Sequence, residues 1–281
     1  MNQTEKRRTV NIALIGCGFM GKEHSKAYSL APVSCPDIAA VPVKKILCDV
    51  FPGAAKEKAK LWGFEEYTTD YREIFDRDDI DIVDICTPAP SHADIAIDFI
   101  KAGKFVACEK PLVLTVQDGE RLLEAVKEYH GRTADRAKRI NNEESFALVL
   151  AQMKSGVTAS RYQNFAYSGT GEDISFEVIG SKGSMRWSGA NPSVFQLSIQ
   201  EGDGRTNGFR NILMGPEHPY GPSVPGFGVG VADNMAFQAY EIVNAYCGDC
   251  AFSPSFEDAW EIIKVCDCIR ESERTRQWVK C

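Results

Sequence analysis

Short apolar runs alternate with longer amphipathic stretches through the first half of the chain. Four apolar runs predict buried strands, at residues 10–15, 43–48, 81–86 and 105–108. Four stretches with helical periodicity or many alanines and lysines predict helices, at residues 19–30, 53–62, 93–100 and 115–129. We expect Ser91 to cap the third of these helices and Thr115 to start the fourth. Because strands that alternate with helices form a parallel sheet, this half predicts a doubly wound Rossmann fold.

The pattern changes near residue 145, where β-branched and aromatic residues become frequent and glycine-bearing turns separate them. Five extended stretches predict strands, at residues 145–153, 157–167, 174–179, 184–187 and 194–199. Short turns between consecutive strands indicate an antiparallel sheet. Two helices follow, at about residues 233–246 and 255–273, and Ser255 with Asp258 resembles a capping box at the start of the second.

The length of the chain allows two domains. With 281 residues it can bury two separate hydrophobic cores. The predicted fold class is α/β plus α+β. A doubly wound Rossmann domain is expected at residues 1–131, and a mostly antiparallel β-sheet domain with helices at residues 132–281.

The charge and hydropathy of the chain restrict its partners. The net charge is −7 and the basic residues form no block beyond Lys6-Arg7-Arg8, which argues against nucleic acid or an anionic membrane as the main partner. No apolar stretch approaches the roughly 20 residues that span a bilayer. Residues 1–9 are too polar for a signal peptide, so we expect a cytoplasmic protein.

Ten cysteines raise the question of a metal or redox site. Four of them lie in or beside predicted strands, where a free cysteine behaves as a small buried hydrophobe: Cys17, Cys48, Cys86 and Cys108. Cys247 and Cys250 form a C-G-D-C, while Cys266 and Cys268 form a C-D-C within a predicted helix. Residues two apart on a helix face different directions, so these four do not easily converge on one metal. We predict reduced thiols and no metal, with a metal or redox role as the alternative.

The first apolar run ends in G-C-G-F-M-G, whose glycines have the spacing of the dinucleotide-binding fingerprint. Gly16 allows the tight turn, Gly18 lets the backbone approach a pyrophosphate, and Gly21 lets the next helix pack closely on its strand. The helix that begins at Phe19 and Met20 directs its N–H groups and the positive end of its dipole at the same place. We predict that these five residues bind a dinucleotide cofactor.

An acidic residue at the end of the second strand distinguishes the two nicotinamide cofactors. Asp49 stands there, where a carboxylate accepts hydrogen bonds from the adenosine ribose hydroxyls and repels the extra phosphate of NADP. The sequence therefore favours NAD over NADP, and a merely solvated aspartate is the alternative. Thr87 and Pro88 follow the third strand and are expected to flank the nicotinamide side.

Lys110 is the leading catalytic candidate because it follows the fourth strand, at the edge of a parallel sheet where ligands bind. A partly desolvated ammonium group there could hydrogen-bond a substrate hydroxyl, lower its pKa or shuttle its proton. Pro111 fixes the backbone beside it. The alternative is a surface ion pair between Glu109 and Lys110 with no catalytic role.

The four histidines are expected to have different environments and roles. His92 heads a helix near the same edge and is either a residue of the cofactor site or a structural group. His218 lies in a loop that reads G-P-E-H-P-Y and could reach a substrate or a neighbouring subunit. His24 and His130 lie on predicted helices and are expected to be solvated and without a partner.

Several motifs in both halves resemble those of one enzyme family. They are G-C-G-F-M-G, C-T-P at residues 86–88, A-G-K-F-V-A-C-E-K-P-L at residues 102–112, and S-F-E-V-I-G-S-K-G-S-M-R-W at residues 175–187. Together they resemble the Gfo/Idh/MocA oxidoreductases, the group of glucose-fructose oxidoreductase and inositol dehydrogenase. The segment G-F-R-N-I-L-M-G-P-E-H-P-Y from residue 208 is similar to the inositol-dehydrogenase-like branch.

The resemblance implies oxidation or reduction of a sugar, polyol or related hydroxy compound with NAD(P). It implies that Lys110 is the catalytic lysine of the E-K-P motif, and that Glu109, Lys110 and His92 belong to the cofactor site. It also implies a homo-oligomer that associates through the sheet domain.

One block of the family pattern has no counterpart in this chain. The family continues beyond the helix that ends near Gly131 with a further Rossmann strand, and then with an Asp and a His four residues apart that complete the active site. Here residues 132–144 are polar and lead directly into a strand of the sheet domain. None of the four histidines has an aspartate four residues before it. We therefore predict an internal deletion after Gly131 that removes the last parallel strand and an acid/base histidine, at a cost of about 10²-fold or more in rate.

Two functions follow from these expectations. The leading one is an NAD-dependent dehydrogenase that transfers a hydride between a nicotinamide cofactor and a secondary hydroxyl of a sugar, inositol or related polyol. The alternative, which the missing block motivates, is a nucleotide-binding protein that is catalytically impaired or regulatory.

Overall fold

The computed structural model of the protein describes eight stretches of the chain, at residues 7–129, 133–135, 146–164, 174–200, 207–222, 224–225, 228–248 and 253–281. The chain forms two compact units. The first combines Met1–Asn142 with Met235–Cys281, and the second is Glu143–Asn234. The last C-terminal helix and all but the first four residues of the helix before it therefore belong to the first unit. The predicted domain boundary after residue 131 lies outside the described residues and stays a prediction.

A six-stranded parallel sheet forms the centre of the first unit. Its strands are β1 (Thr9–Ile15), β2 (Val41–Cys48), β3 (Glu66–Thr68), β4 (Ile82–Ile85), β5 (Phe105–Cys108) and β6 (Thr133–Asp135). Their spatial order is β3-β2-β1-β4-β5-β6, and each neighbouring pair runs parallel. The strand order reverses between β1 and β4, which is the point where open α/β sheets bind their ligands.

Helices cover both faces of this sheet. They are α1 (Phe19–Ser34), α2 (Pro52–Trp62), α3 (His92–Lys101), α4 (Val116–Glu128), α5 (Val231–Cys247) and α6 (Phe256–Thr275). Because side chains alternate along a strand, Val83 and Ile85 join a buried core with α3, α4 and α6, whereas Ile82 joins another with α1 and α5. Burial of both faces explains why these strands read as continuous apolar runs. Among the described residues, no helix is both long and apolar enough to cross a membrane.

The helix ends follow the capping signals in two of three predicted cases. Thr115 Oγ1 accepts a hydrogen bond from the amide of Asp118 at 3.1 Å, and Ser255 and Asp258 form the reciprocal capping box of α6. The prediction that the Ser91 side chain caps α3 is wrong. Its hydroxyl lies in a short 3-10 turn, where it bonds the Pro88 carbonyl at 2.8 Å instead of an amide of the helix.

Helix α1 is longer than expected. The sequence predicted that the helix ends at residue 30, but it runs to Ser34 and includes Pro32. Ala31 is fully buried against the core that α1 shares with α5. Packing therefore extends the helix beyond the point at which the proline signals its end.

The prediction that the last parallel strand is lost is also wrong. Thr133–Asp135 pairs in parallel with β5, in the register Val106↔Thr133 to Cys108↔Asp135. A strand of three residues at the sheet edge needs main-chain hydrogen bonds on one side only, so it needs no apolar run. The sequence Thr-Ala-Asp consequently carried no signal that pattern analysis could detect.

Antiparallel pairing in the second unit confirms the predicted sheet type. Its strands are β7 (Phe146–Gln152), β8 (Thr158–Asn164), β9 (Ser175–Gly180), β10 (Gly183–Ser188), β11 (Val194–Ile199) and β12 (Arg210–Leu213). Strands β7 and β8 form a two-stranded sheet, and the other four form a sheet of order β12-β11-β10-β9. Strand β12 was not predicted.

Candidate functional site

Three loop segments meet at the edge of the parallel sheet where its strands end, here called the carboxyl edge. They begin at Gly16 after β1, at Cys86 after β4 and at Glu109 after β5. The amide of each donates to the last carbonyl of a neighbouring strand, at 2.7–2.8 Å. These bonds continue the strand ladder by one residue, so the glycine turn and the Glu109-Lys110-Pro111 segment, here called the lysine segment, are fixed to the same rigid sheet.

The three glycines of the first segment have different surroundings. Gly16 has a φ of +100°, and a Cβ there would lie 2.8 Å from the backbone of Cys86. A Cβ on Gly21 would lie 2.1 Å from the Gly16 carbonyl oxygen. A Cβ on Gly18, in contrast, would meet nothing within 4 Å. Two glycines are therefore required by packing, whereas Gly18 borders open space that a phosphate group can approach.

Helix α1 begins at this open space, and among the described residues no side chain of the N-cap accepts from its first amides. Its N-cap residue is Gly18, which has no side chain to accept from the first amides, and no acidic residue lies in the first turn. Phe19 is exposed and Met20 is half-buried at this end. The N–H groups at a helix start and the helix dipole favour an anionic ligand such as a pyrophosphate.

Asp49 is joined to the glycine turn by hydrogen bonds. Its Oδ2 accepts from the Cys17 amide at 2.8 Å and its Oδ1 from the Phe51 amide at 3.0 Å. Burial acts to raise the pKa of Asp49, but the bonds from Cys17 and from the Phe51 amide, with the charge of Lys58, hold it below its usual value. The carboxylate is thus charged at neutral pH and retains lone pairs for ribose hydroxyls. It is half-buried, so the merely solvated alternative does not describe it.

His92 connects the segments that follow β4 and β5. Its Nε2 lies 2.7 Å from the Thr87 carbonyl oxygen, its Nδ1 lies 2.8 Å from the Pro111 carbonyl oxygen, and its side chain is buried. The Ser91 hydroxyl bonds Thr87 Oγ1 at 2.8 Å, so the Thr87-Pro88 turn is also held from α3. His92 therefore has the contacts of a structural group, and its role in cofactor binding stays a prediction.

The expectation that His24 is solvated and without a partner is wrong. The side chain is 0% exposed, with Nδ1 2.7 Å from Asp84 Oδ2 and Nε2 2.8 Å from Glu109 Oε1. Tyr28 donates its hydroxyl to the same Asp84 oxygen at 2.8 Å, and Cys86 Sγ lies 3.0 Å from His24 Nδ1. We call these five residues the buried histidine cluster. It lies directly beneath the carboxyl edge, between α1, β4 and the lysine segment.

The cluster also determines where the side chain of Glu109 lies. Glu109 is only 4% exposed, and its second oxygen accepts from the Lys110 amide at 3.1 Å. Glu109 is therefore directed into the core and bound by His24 instead of lying at the surface, and the catalytic role of Lys110 stays a prediction. Lys110 itself is half-buried at the edge.

Among the described residues, one group of side chains is close enough to share a metal ion, formed by His24, Asp84 and Cys86. Their ligand atoms are separated by 2.7 Å from Nδ1 to Oδ2 and by 3.0 Å from Nδ1 to Sγ. Ligand atoms on one tetrahedral zinc ion lie roughly 3.3 Å or more apart. The shorter separations are those of hydrogen bonds, so the group is a polar network rather than a preformed metal centre.

The cysteines near the strands of the parallel sheet have the surroundings of unreactive thiols. The four near strands are buried, and burial, with a contribution from Asp49, raises the pKa of Cys17 to about 11 and that of Cys48 to about 12. Such thiols stay protonated at neutral pH and react slowly. Cys266 and Cys268 lie on α6, while Cys250 is outside the described residues.

Two further histidines are His218 and His130. His218 lies in the second unit, where its Nδ1 accepts from the Gly215 amide at 3.1 Å and its own amide donates to the Gly215 carbonyl. Its proposed contact with substrate stays a prediction. His130 lies outside the described residues.

Sequence reasoning missed His24 and Lys58. Gly21, His24 and Tyr28 follow one another at spacings of three and four, so they share one face of α1, and Gly21 was already assigned to the buried face. That spacing could have placed His24 in the core. Lys58 Nζ donates to the Cys17 carbonyl at 2.8 Å, which puts a positive charge beside the glycine turn, and no motif indicated it.

Known proteins match the chain over both halves. The family model "Oxidoreductase family, NAD-binding Rossmann fold" of Gfo/Idh/MocA matches residues 10–134, and the model of the C-terminal alpha/beta domain matches residues 117–281. A levoglucosan dehydrogenase of Pseudarthrobacter phenanthrenivorans is 26% identical, with 97% of this chain and 98% of that protein covered. An inositol 2-dehydrogenase of Rhizobium meliloti is 41% identical, over 42% of this chain and 32% of that protein.

The fold agrees with these sequence matches. The structure of a levoglucosan dehydrogenase in complex with NADH superposes with a TM-score of 0.88 at 25% identity, covering 97% of this chain and 99% of the other. The matches confirm the predicted fold class, the oxidoreductase class and NAD as cofactor. The alignment with the P. phenanthrenivorans enzyme runs over 382 positions although this chain has 281 residues, so the relative has segments that this chain lacks.

Proposed function

Because the chain belongs to the Gfo/Idh/MocA oxidoreductase family, we propose that it transfers a hydride between NAD and a secondary hydroxyl of a sugar, inositol or related polyol. The observation that carries this proposal is the carboxyl edge. There a glycine turn with open space at Gly18, a charged Asp49 and the lysine segment are fixed to neighbouring strands of one sheet. Such an edge binds a dinucleotide and presents a basic side chain beside it.

Different residues of the carboxyl edge bind different parts of NAD. Gly16, Gly18 and Gly21 shape the turn, and the amides of Phe19 and Met20 meet the pyrophosphate at the start of α1. Asp49 accepts hydrogen bonds from the adenosine ribose hydroxyls, and its negative charge repels the additional phosphate of NADP. Thr87, Pro88 and His92 flank the nicotinamide half, and Glu109 supports the lysine that follows it.

Bound NAD supplies the redox chemistry by accepting a hydride from the substrate carbon. Lys110 is the residue of this chain that acts on the substrate oxygen. Its Nζ holds a hydrogen bond to the hydroxyl and takes or passes on its proton as the carbonyl forms. The relative aligned over the whole chain has segments that this chain lacks. Lys110 therefore transfers the substrate proton without the Asp and His that complete the active site in the family. We expect a low turnover rate for this reason.

The substrate class follows from the relatives. Levoglucosan dehydrogenase and inositol 2-dehydrogenase both act, by name, on compounds with several ring hydroxyls. We propose that this chain accepts a compound of the same class. We propose further that it forms a homo-oligomer through the sheet unit, where Leu148, Leu150, Phe176 and Val178 are large apolar side chains that remain exposed. A cytoplasmic location belongs to the same proposal.

The direct test is a screen of cofactor and substrate. The purified chain is incubated with NAD or NADP and a panel containing levoglucosan, inositols, aldoses and simple polyols, and formation of the reduced cofactor is followed by its absorbance. We expect turnover with at least one ring polyol and a higher kcat/KM with NAD than with NADP. Calorimetric binding of NAD without turnover of any compound would contradict the proposal and favour a regulatory nucleotide-binding protein.

A further inference from the structure

Both neighbours of Lys110 in the sequence are held by buried histidines. On one side, Glu109 Oε1 contacts His24 Nε2 at 2.8 Å. On the other side, the Pro111 carbonyl contacts His92 Nδ1 at 2.8 Å. His24 is 0% exposed and His92 is 1% exposed, so neither of these bonds competes with bulk water.

The second ring nitrogen of each histidine contacts a different element near the carboxyl edge. His24 is on α1, eight residues after the start of the glycine turn, and its Nδ1 contacts Asp84 on β4. His92 begins α3, and its Nε2 contacts the carbonyl of Thr87. The lysine segment is thus tied to the helix that follows the glycine turn and to the turn after β4.

An imidazole suits the first position because its ring has two separate polar nitrogens. His24 Nδ1 lies 2.7 Å from Asp84 and His24 Nε2 lies 2.8 Å from Glu109. Asp84 also accepts from the Tyr28 hydroxyl and Glu109 from the Lys110 amide, so the imidazole is the group that joins these two buried carboxyl groups to each other. The two carboxyl partners explain why this buried position of α1 holds a histidine and not an apolar residue.

We propose that His24 and His92 are positioning residues that fix the lysine segment relative to the glycine turn, and so place the Lys110 amine against the bound nicotinamide. The inference rests on the proposed function, because it explains how the Lys110 amine of the proposed active site is held in place. Neither histidine touches a reacting atom. Their effect passes through Glu109 and Pro111 to the backbone on either side of Lys110.

Two amide substitutions separate the contacts that His24 makes. The amide of an asparagine occupies roughly the place of Nδ1, so His24→Asn keeps a partner for Asp84 and loses the contact with Glu109. The amide of a glutamine reaches roughly the place of Nε2, so His24→Gln keeps the contact with Glu109 and loses the one with Asp84. Tyr28→Phe is the matched control, because it removes a hydroxyl from the buried histidine cluster without touching the lysine segment.

The kinetic test compares these variants on the substrate found in the screen. We expect His24→Asn to lower kcat by about 10- to 100-fold, because displacement of a reacting group by about 1 Å has effects of this size. The KM for NAD should change little, and His24→Gln and Tyr28→Phe should retain most of the activity. In a Lys110→Ala background, His24→Asn should cause no further loss, since its effect passes through the lysine. An equal loss in all three single variants, or full additivity with Lys110→Ala, would overturn the proposal.

A second readout does not depend on turnover. Acetylation of Lys110 by acetic anhydride is measured by mass spectrometry with and without NADH. In the parent chain, NADH should protect Lys110, and protection should be lost in His24→Asn while calorimetry shows unchanged affinity for NADH. For His92, the variant that loses the Pro111 contact is His92→Gln, and the protection of Lys110 by NADH should be lost there as well. Protection that persists in both variants would overturn the positioning role.

The two readouts also distinguish this inference from the proposed function. A parent chain that turns over no polyol, but whose Lys110 is protected by NADH in a manner that depends on His24, would refute the dehydrogenase and support the positioning role. A parent chain with turnover, in which His24→Asn remains as active as Tyr28→Phe, would support the dehydrogenase and refute the positioning role.

Discussion

Individual residues at the carboxyl edge take their roles from the atoms beside them. Gly16 and Gly21 have the same lack of a side chain as Gly18, yet the first two are surrounded by backbone and the third by open space. Asp49 is a strand-end carboxylate of a common kind, but two amides hold it against the glycine turn. The chemistry of each position therefore follows from local packing as much as from residue type.

The contrast between the glycines gives a prediction for two substitutions. Gly18→Val places a side chain in the open space, so it should leave the thermal unfolding temperature nearly unchanged and abolish measurable NAD binding. Gly21→Ala puts a Cβ against the Gly16 carbonyl and should lower the unfolding temperature strongly. Differential scanning fluorimetry and calorimetric titration with NAD check both. A Gly18→Val variant that binds NAD as the parent does would refute the assignment of this space to the cofactor.

Lys110 and His24 show how far the sequence predicts single residues. Lys110 was identified because a strand ends beside it and a recognisable motif contains it. His24 was missed because its burial depends on Asp84 and Glu109, which are 60 and 85 residues away in the sequence. A polar residue on a helix reads as solvated until the partners that satisfy it are known.

Helices and strands in this chain are fixed by packing in addition to their own signals. Helix α4 packs on α6, and the contact depends on Gly119, where a Cβ would lie 2.4 Å from Trp260 Cδ1. Helix α5 is attached through Tyr246, whose hydroxyl bonds Asp81 just before β4. The C-terminal helices thus complete the core of a sheet formed by the first half of the chain.

Gly119→Ala should destabilise the first unit despite the higher helix propensity of alanine. The added methyl group overlaps the Trp260 ring, and overpacking of this kind costs about 1–3 kcal/mol. Gly53→Ala is the matched control, because Gly53 lies in α2 with nothing within 4 Å of its Cβ position. Urea denaturation should show a lower midpoint for Gly119→Ala and an equal or higher one for Gly53→Ala. A stabilised Gly119→Ala variant would contradict the close packing of α4 and α6.

Alkaline pH should weaken the attachment of α5. Burial and then the hydrogen bond to Asp81 raise the pKa of Tyr246 to about 12 from its ordinary value of about 10. The folded state therefore holds this proton more tightly, and the resulting stabilisation is present below pH 10 and is lost as the pH rises towards 12. Urea midpoints measured from pH 9 to pH 11 should fall less for Tyr246→Phe than for the parent. Tyr129→Phe, at an exposed position, should leave the parental slope unchanged.

The sequence predicts the helices and the buried strands of this fold and misses three short strands at sheet edges. Buried strands of four or more residues carry an apolar run, and the amphipathic helices carry a stripe, so each was found near its true position. Strands β3, β6 and β12 have three or four residues, and their positions follow from pairing with a neighbour rather than from composition. Edge strands of this kind can be predicted only when the position of the neighbouring strand is known.

At the scale of the whole molecule, the chain keeps a family architecture in fewer residues. It matches both family models and superposes on a levoglucosan dehydrogenase at a TM-score of 0.88, although it lacks segments of the aligned relative. The Rossmann unit retains all six parallel strands. The sequence could predict two sheets of different type, because periodicity and turn spacing report them. It could not predict that α5 and α6 join the first unit, since that depends on contacts between distant parts of the chain.

The central claim is that this shortened chain is an active dehydrogenase that works through Lys110. The measurement that tests it most directly is kcat for NAD reduction by the parent, by Lys110→Ala and by Lys101→Ala, which removes an exposed lysine at the end of α3. The account predicts turnover of a ring polyol by the parent and by Lys101→Ala, and a loss of about 10²-fold or more in Lys110→Ala with NAD affinity retained. Equal rates for Lys110→Ala and the parent would contradict it.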